Sequence, residues 1–102
     1  MKIIEKLSDM ISEEIKDAER YARCALMHKD DMPDLAEAFY KLSNEEMEHM
    51  TILHDQVVRI INNYRRSNGE PPANMLAVYE YLHKKQIDHA AEVKNMQAMY
   101  RE

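Results

Sequence analysis

The chain is poor in the residues that interrupt helices and in those that cross-link small domains. Its 102 residues include one Gly, three Pro, one Cys and no Trp. A lone cysteine, Cys24, excludes an internal disulfide, and we interpret it as a small packing residue. Scarce Gly and Pro leave long uninterrupted stretches that favour helix. We therefore expect an all-α fold. The length supports one small domain, which spans residues 1–102.

The chain also lacks a surplus of positive charge and any long apolar run. Fourteen Lys and Arg against nineteen Asp and Glu give a net charge of -5, with a pI near 5.5. Nucleic acids and anionic membranes require a basic protein surface, so we expect neither as a partner. The first residues show no signal peptide or membrane span, which predicts a cytoplasmic protein. Binding of a basic partner protein by an acidic helical bundle is an alternative that rests on charge alone.

Two short breaks divide three long helical patterns. Pro33, after an acidic pair, suits the first turn of a helix. Asn68 and Gly69, followed by two prolines, stop the second pattern. Helices far longer than the average of roughly eleven residues predict an elongated antiparallel bundle, which we expect dimerisation to complete. We predict helices at about residues 2–29, 33–66 and 73–101.

Each predicted helix carries an apolar stripe that polar residues interrupt. Glu46 and His49 interrupt the second helix, Glu14 interrupts the first, and Gln86 and His89 repeat the Glu-x-x-His spacing on the third. Polar groups in an apolar seam are costly unless something binds them, so we expect these positions to converge around a metal ion. The stripes also contain Ile4, Leu7, Ile11, Ala18, Tyr21, Ala25 and His28 in the first helix, Leu35, Phe39, Leu42, Leu53 and Ile60 in the second, and Met75, Tyr79, Leu82, Val93, Met96 and Tyr100 in the third.

Carboxylate and imidazole side chains together suit a redox-active metal. Carboxylates can bridge two divalent ions, while imidazole nitrogen binds iron, zinc or copper. Helical bundles with two metal ions combine a Glu-x-x-His pair on one helix with a Glu on another. Glu14, Glu46 and His49 form one half of such a site. Gln86 and His89 are weaker candidates, because an amide oxygen is a poor metal ligand.

These residues resemble the ferritin-like di-iron carboxylate superfamily, especially its rubrerythrin-type and encapsulated-ferritin members. Tyr21 follows Glu14 by seven residues, and Leu35–Phe39 precedes Glu46-x-x-His49, as in the first two helices of rubrerythrin-type proteins. The resemblance implies two iron ions per site, with Glu14, Glu46 and His49 as ligands and Tyr21 as a hydrogen-bond partner of a ligand. Zinc or manganese are alternative metals. It also implies ferroxidase or peroxide-scavenging activity, with an external reductant because the chain has no Cys-x-x-Cys pair.

The third helix departs from this resemblance. A complete single-chain member has four helices and two half-sites, whereas this chain has room for three helices. We expect two chains to pair as a homodimer or within a higher homo-oligomer, each contributing Glu14, Glu46 and His49. One alternative is a single-metal site within one chain that uses His89 or Asp88. Another is a non-catalytic structural or interaction module that kept the ferritin-like fold.

Overall fold

A computed structural model describes all 102 residues and contains helices as its only regular secondary structure. Helix α1 spans Lys2–His28, α2 spans Pro33–Asn68 and α3 spans Ala73–Arg101. The predicted all-α class and the three predicted helices are confirmed. None of the helices has both the length and the apolar character that crossing a membrane requires.

The helix ends follow from the residues at the two breaks. Pro33 is the first residue of α2, and Asp34 lies in its first turn, near the positive end of the helix dipole. Gly69 ends α2 with a φ of 80°, which is a left-handed conformation that favours glycine. Its backbone N–H donates to the Arg65 carbonyl at 3.0 Å. Pro72 then precedes α3 as its N-cap residue.

The three helices run up, down and up along a rod of 56 × 19 × 18 Å. The Lys29 ammonium, just after α1, donates to the Glu102 carbonyl, just after α3, at 2.9 Å. At the other end, the Met1 amino group lies 3.7 Å from the Met75 sulfur. Helices α1 and α3 are therefore parallel, and α2 is antiparallel to both. Because α1 packs extensively on α2 and also carries most contacts of α3, it is the central helix.

Small and β-branched side chains build the core. Ile15, Val57 and Val93 are its largest fully buried apolar side chains, one from each helix. Alanines between them allow helix axes to approach closely, because interaxial distance depends on side-chain size at the contact. The buried cluster consists of Ile4, Ile11, Ile15, Ala18, Ala22, Val57, Ile61, Ala90 and Val93.

One buried hydroxyl links all three helices. Ser43 Oγ on α2 donates to the Ala18 carbonyl of α1 at 2.7 Å. The same oxygen accepts a hydrogen bond from Gln97 Nε2 of α3 at 2.8 Å. Since Ser43 is fully buried, the inward face of α2 is centred on this residue.

The predicted stripe of α2 is consequently wrong by part of a turn. The buried residues of α2 are Ala36, Ser43, Val57 and Ile61. Three of them directly follow a predicted stripe residue, and Val57 lies one turn after the stripe residue Leu53. Leu42, expected inside, stays 37% exposed. The reason is that Ser43 turns inward to reach both neighbouring helices, which moves the predicted stripe to an edge beside α1.

The stripes of the other helices are closer to the prediction. In α1, every seventh residue from Ile4 is buried, and the residues from Leu7 at the same spacing, including Glu14, are half-buried. In α3, Gln86 and Val93 are buried as expected, together with Ala90 and Gln97. The other predicted stripe members of α3 are half-buried: Met75, Tyr79, Leu82, His89, Met96 and Tyr100.

We expect Ser43→Ala to lower the free energy of unfolding by about 1–3 kcal/mol, because it leaves the buried Gln97 amide without its acceptor. Urea unfolding followed by circular dichroism measures the change. Ser67→Ala, at an exposed position of the same helix, is the control. It should change the free energy of unfolding by only a few tenths of a kcal/mol. Equal effects of the two substitutions would contradict the role given to the Ser43 hydroxyl.

Candidate metal centre

Glu14, Glu46 and His49 meet where the middle of α1 crosses the middle of α2. His49 Nδ1 lies 3.5 Å from Glu14 Oε2 and 3.6 Å from Glu46 Oε2. One donor atom from each of the three side chains lies within 4.8 Å of the other two. The Glu-x-x-His spacing places Glu46 and His49 one helical turn apart on one face, and the antiparallel pairing of α1 and α2 supplies Glu14.

The three side chains differ in their access to solvent. The side chains of Glu14 and Glu46 are 26% and 19% exposed, whereas that of His49 is 54% exposed. The two carboxylates are therefore recessed between the helices, and the imidazole lies at the surface above them. An ion could approach from the side that α3 leaves uncovered.

Exposed apolar side chains follow the same edges of α1 and α2 as the three donors. Leu35 and Leu42 of α2 are 38% and 37% exposed, and Ile3 and Met10 of α1 are 47% and 38% exposed. They recur at helical spacings with the donors along the same edge of each helix. We call this surface the open face; it comprises Ile3, Met10, Glu14, Leu35, Leu42, Glu46 and His49.

The two carboxyl groups are electrostatically coupled. Glu14 accepts a hydrogen bond from the protonated Glu46 carboxyl, which together with burial and the Glu14 charge raises the pKa of Glu46 to about 7. Asp17 acts in the same direction, and the nearby His49 in the opposite one. Near neutral pH, Glu46 therefore holds a proton in part of the molecules, and in those the pair does not carry a second negative charge.

This donor set fits a divalent cation. Two recessed carboxylates and one imidazole supply hard oxygen and borderline nitrogen donors, a combination that suits iron, manganese and zinc. A cation between the carboxylates removes the repulsion that otherwise keeps Glu46 protonated. Three protein donors from one chain are enough for one ion with open positions, but too few for a pair of ions.

The structure corrects the expected convergence of all three helices. Gln86 does not reach the metal centre, because its Nε2 lies 3.0 Å from the Ser8 carbonyl oxygen and 3.1 Å from the hydroxyl oxygens of Ser8 and Ser12. It joins α3 to the side of α1 that faces away from the open face. Its amide therefore serves as a structural hydrogen-bond donor within the bundle.

His89 also lies elsewhere, in a second cluster with Glu19 and Glu92. His89 Nε2 lies 2.5 Å from Glu19 Oε2, and Arg23 donates to Glu19 Oε1 at 2.7 Å. Arg23 first and then His89 hold the pKa of Glu19 below its ordinary value. Both oxygens of Glu19 therefore already have partners, Arg23 on one and His89 on the other.

The Glu19 cluster does not follow from the apolar stripes. Glu19 lies off the predicted stripe of α1, and the stripe of α3 predicts His89 in the layer of Glu14. The His89-x-x-Glu92 spacing was the available signal, because it places both side chains on one face of α3.

Tyr21 lies about two helical turns from Glu14 along α1. Its ring stacks on Phe39 with a centroid distance of 6.2 Å, and the Arg20 guanidinium lies 5.8 Å from its centroid. Tyr21 is therefore a half-buried aromatic beside the open face.

No family model, curated protein or solved structure matches the chain. The resemblance to ferritin-like proteins therefore rests on the spacing of Glu14, Tyr21, Glu46 and His49, and on the meeting of three of them between α1 and α2.

The raised pKa of Glu46 predicts how the metal-free protein responds to pH. Its ordinary value of 4.5 applies to the unfolded chain, and the folded value is about 7. Between these values the folded state binds more protons, so the stability from this group is fully present below the unfolded pKa and is lost as pH rises through the folded pKa. With chelator present, we expect the urea midpoint to fall between about pH 5 and pH 8, and Glu46→Gln to reduce that fall.

Glu45→Gln, on the exposed side of the same helix turn, is the matched control and should keep the full pH dependence. The interpretation fails if Glu46→Gln and Glu45→Gln give the same profile.

Proposed function

We propose that the chain is a ferritin-like metal-binding protein in which Glu14, Glu46 and His49 hold iron at a site shared between two copies. The observation that carries this proposal is a recessed carboxylate pair, with an imidazole inside 4.8 Å, on a surface that also exposes Met10, Leu35 and Leu42. Carboxylates withdrawn from water are stabilised when they coordinate a cation.

A twofold axis through the open face completes the site. Pairing of the same surface on both copies doubles every donor, giving four carboxylates and two imidazoles for two ions. This count agrees with the donor set of di-metal helical bundles, in which each ion draws on a lone Glu and a Glu-x-x-His pair. The second copy thus replaces the half-site that α3 does not supply.

The apolar surroundings of the donors support the same arrangement. Leu35 and Leu42 lie on one side of the open face, and Ile3 and Met10 on the other. A second copy that covers them removes apolar area from water, which is the main favourable contribution to such interfaces. It also excludes water from the recessed carboxylates and so strengthens their attraction for a cation.

The chain's own residues perform three tasks in this proposal. Glu46 releases its proton when an ion binds, which makes uptake stronger as pH rises toward 8. Glu14, on the neighbouring helix α1, offsets part of the positive charge of the bound ion. His49, half outside the cleft, supplies the nitrogen donor and lies on the route of entry.

Iron supplies one-electron chemistry at such a site. Ferrous ions are the substrate of the proposed ferroxidase reaction, and oxygen or peroxide is the electron acceptor. With peroxide, two ferrous ions lose two electrons, the O–O bond breaks, and two protons complete two molecules of water. Repeated turnover requires either fresh ferrous ions or an external reductant that returns the ferric ions to the ferrous state.

Anaerobic ferrous titration of the metal-free protein tests metal binding directly. We expect saturation near one ion per chain, followed by oxidation when air or peroxide is added. Glu46→Ala should abolish saturable binding because it removes a recessed ligand, whereas the exposed neighbour variant Glu45→Ala should bind as the unaltered chain does. Absence of saturable binding in the unaltered chain contradicts the proposal and favours a non-catalytic helical module.

A second experiment tests whether the site is shared. We expect the unaltered chain to sediment as a dimer with iron, and Leu42→Lys to give monomers with weaker iron binding, because it places a charge in the proposed interface. Ile52→Lys is the control, since Ile52 is 60% exposed and lies outside the open face. Dimers that persist in Leu42→Lys contradict pairing through this surface.

A further inference from the structure

A groove separates α2 from α3 on a side of the bundle away from the metal centre. Its volume is about 410 Å³, within the range of small-molecule binding sites. Ile11, Met50 and Ala90 form its apolar wall. The imidazole rings of His54 and His83 lie at one end, nearly parallel at 15° with centroids 4.8 Å apart.

Gln86 contributes a hydrogen-bond acceptor to this groove. The residue is only 9% exposed, and its Nε2 is engaged by Ser8 and Ser12 of α1. Its carbonyl oxygen receives no hydrogen bond from the chain, yet it is not sealed in the core. Because Gln86 lines the groove, its carbonyl oxygen can accept a hydrogen bond from a ligand bound in the groove. A nearly buried acceptor is stabilised by a ligand that brings a donor.

Lys94 contributes a positive charge at the other end. It is the only Lys, Arg, Asp or Glu among the residues that line the groove. Lys94 is the eighth residue after Gln86, so the two positions lie about 12 Å apart along α3. The flexible four-carbon stem of lysine lets the ammonium reach back toward the groove.

The histidine end has no Lys, Arg, Asp or Glu among its lining residues. Burial and the neighbouring His54 hold the pKa of His83 below its ordinary value, which favours its neutral form. Tyr79 stacks on its ring with centroids 5.7 Å apart. Flat rings at one end and a lone cation at the other distinguish this groove from a uniformly apolar depression.

We propose that this groove binds a small aromatic carboxylate that carries a hydrogen-bond donor on its ring. The ring lies against the wall formed by Ile11, Met50 and Ala90. Its carboxylate pairs with the Lys94 ammonium, and its donor binds the Gln86 carbonyl oxygen. This proposal does not depend on the metal centre.

Indole-3-acetate is a suitable probe because it has a planar ring, an N–H donor and a carboxylate. The chain contains no Trp, so indole fluorescence in a titration comes from the probe alone. We expect saturable binding of one probe per chain. Lys94→Gln should weaken it roughly tenfold, as should replacement of the probe by its N-methyl derivative, since each removes one hydrogen-bonded partner.

Two further variants make the result decisive. Lys84→Gln removes a lysine of α3 outside the groove and should leave affinity unchanged. Ala91→Leu fills the groove from an exposed position, and it should abolish binding while circular dichroism shows an intact fold. The proposal is overturned if no saturable binding occurs up to about 1 mM probe, or if Lys94→Gln and Lys84→Gln bind alike.

Discussion

The inward hydroxyl of Ser43 is the interaction on which the arrangement of this bundle depends. It joins the Ala18 carbonyl of α1 to the Gln97 amide of α3, and thereby fixes the rotation of α2 about its own axis. With Ser43 inside, Leu42 and Glu46 turn toward the edge beside α1. A rotation that buried Leu42 would carry the Ser43 hydroxyl away from α3 and leave the buried Gln97 amide without its acceptor.

Helix α3 is held by polar and small residues more than by large apolar ones. Its buried positions are Gln86, Ala90, Val93 and Gln97, and both amides donate to serine hydroxyls of other helices. Hydrogen bonds of this kind are directional, so they specify register more strongly than apolar contact does. The same register leaves the open face of α1 and α2 uncovered and keeps a groove between α2 and α3.

The sequence was sufficient for the features that depend on local chemistry. Helix bounds followed from Pro33 and Gly69, because prolines and positive φ act within a turn of the chain. The grouping of Glu14, Glu46 and His49 followed from helical spacing and antiparallel pairing. Helix rotation could not be predicted, since apolar periodicity favours Leu42 over Ser43 and contains no information about a hydrogen bond to a distant helix. The placements of Gln86 and His89 failed for the same reason.

The odd number of helices has a mechanical consequence. Helices α1 and α3 are parallel, so the first residue of α1 and the last residue of α3 lie at opposite ends of a rod 56 Å long. Force applied at these two ends acts along the helix interfaces and loads them in shear. Contacts along the whole length must then break together, whereas an even-numbered bundle with both ends on one side separates one turn at a time.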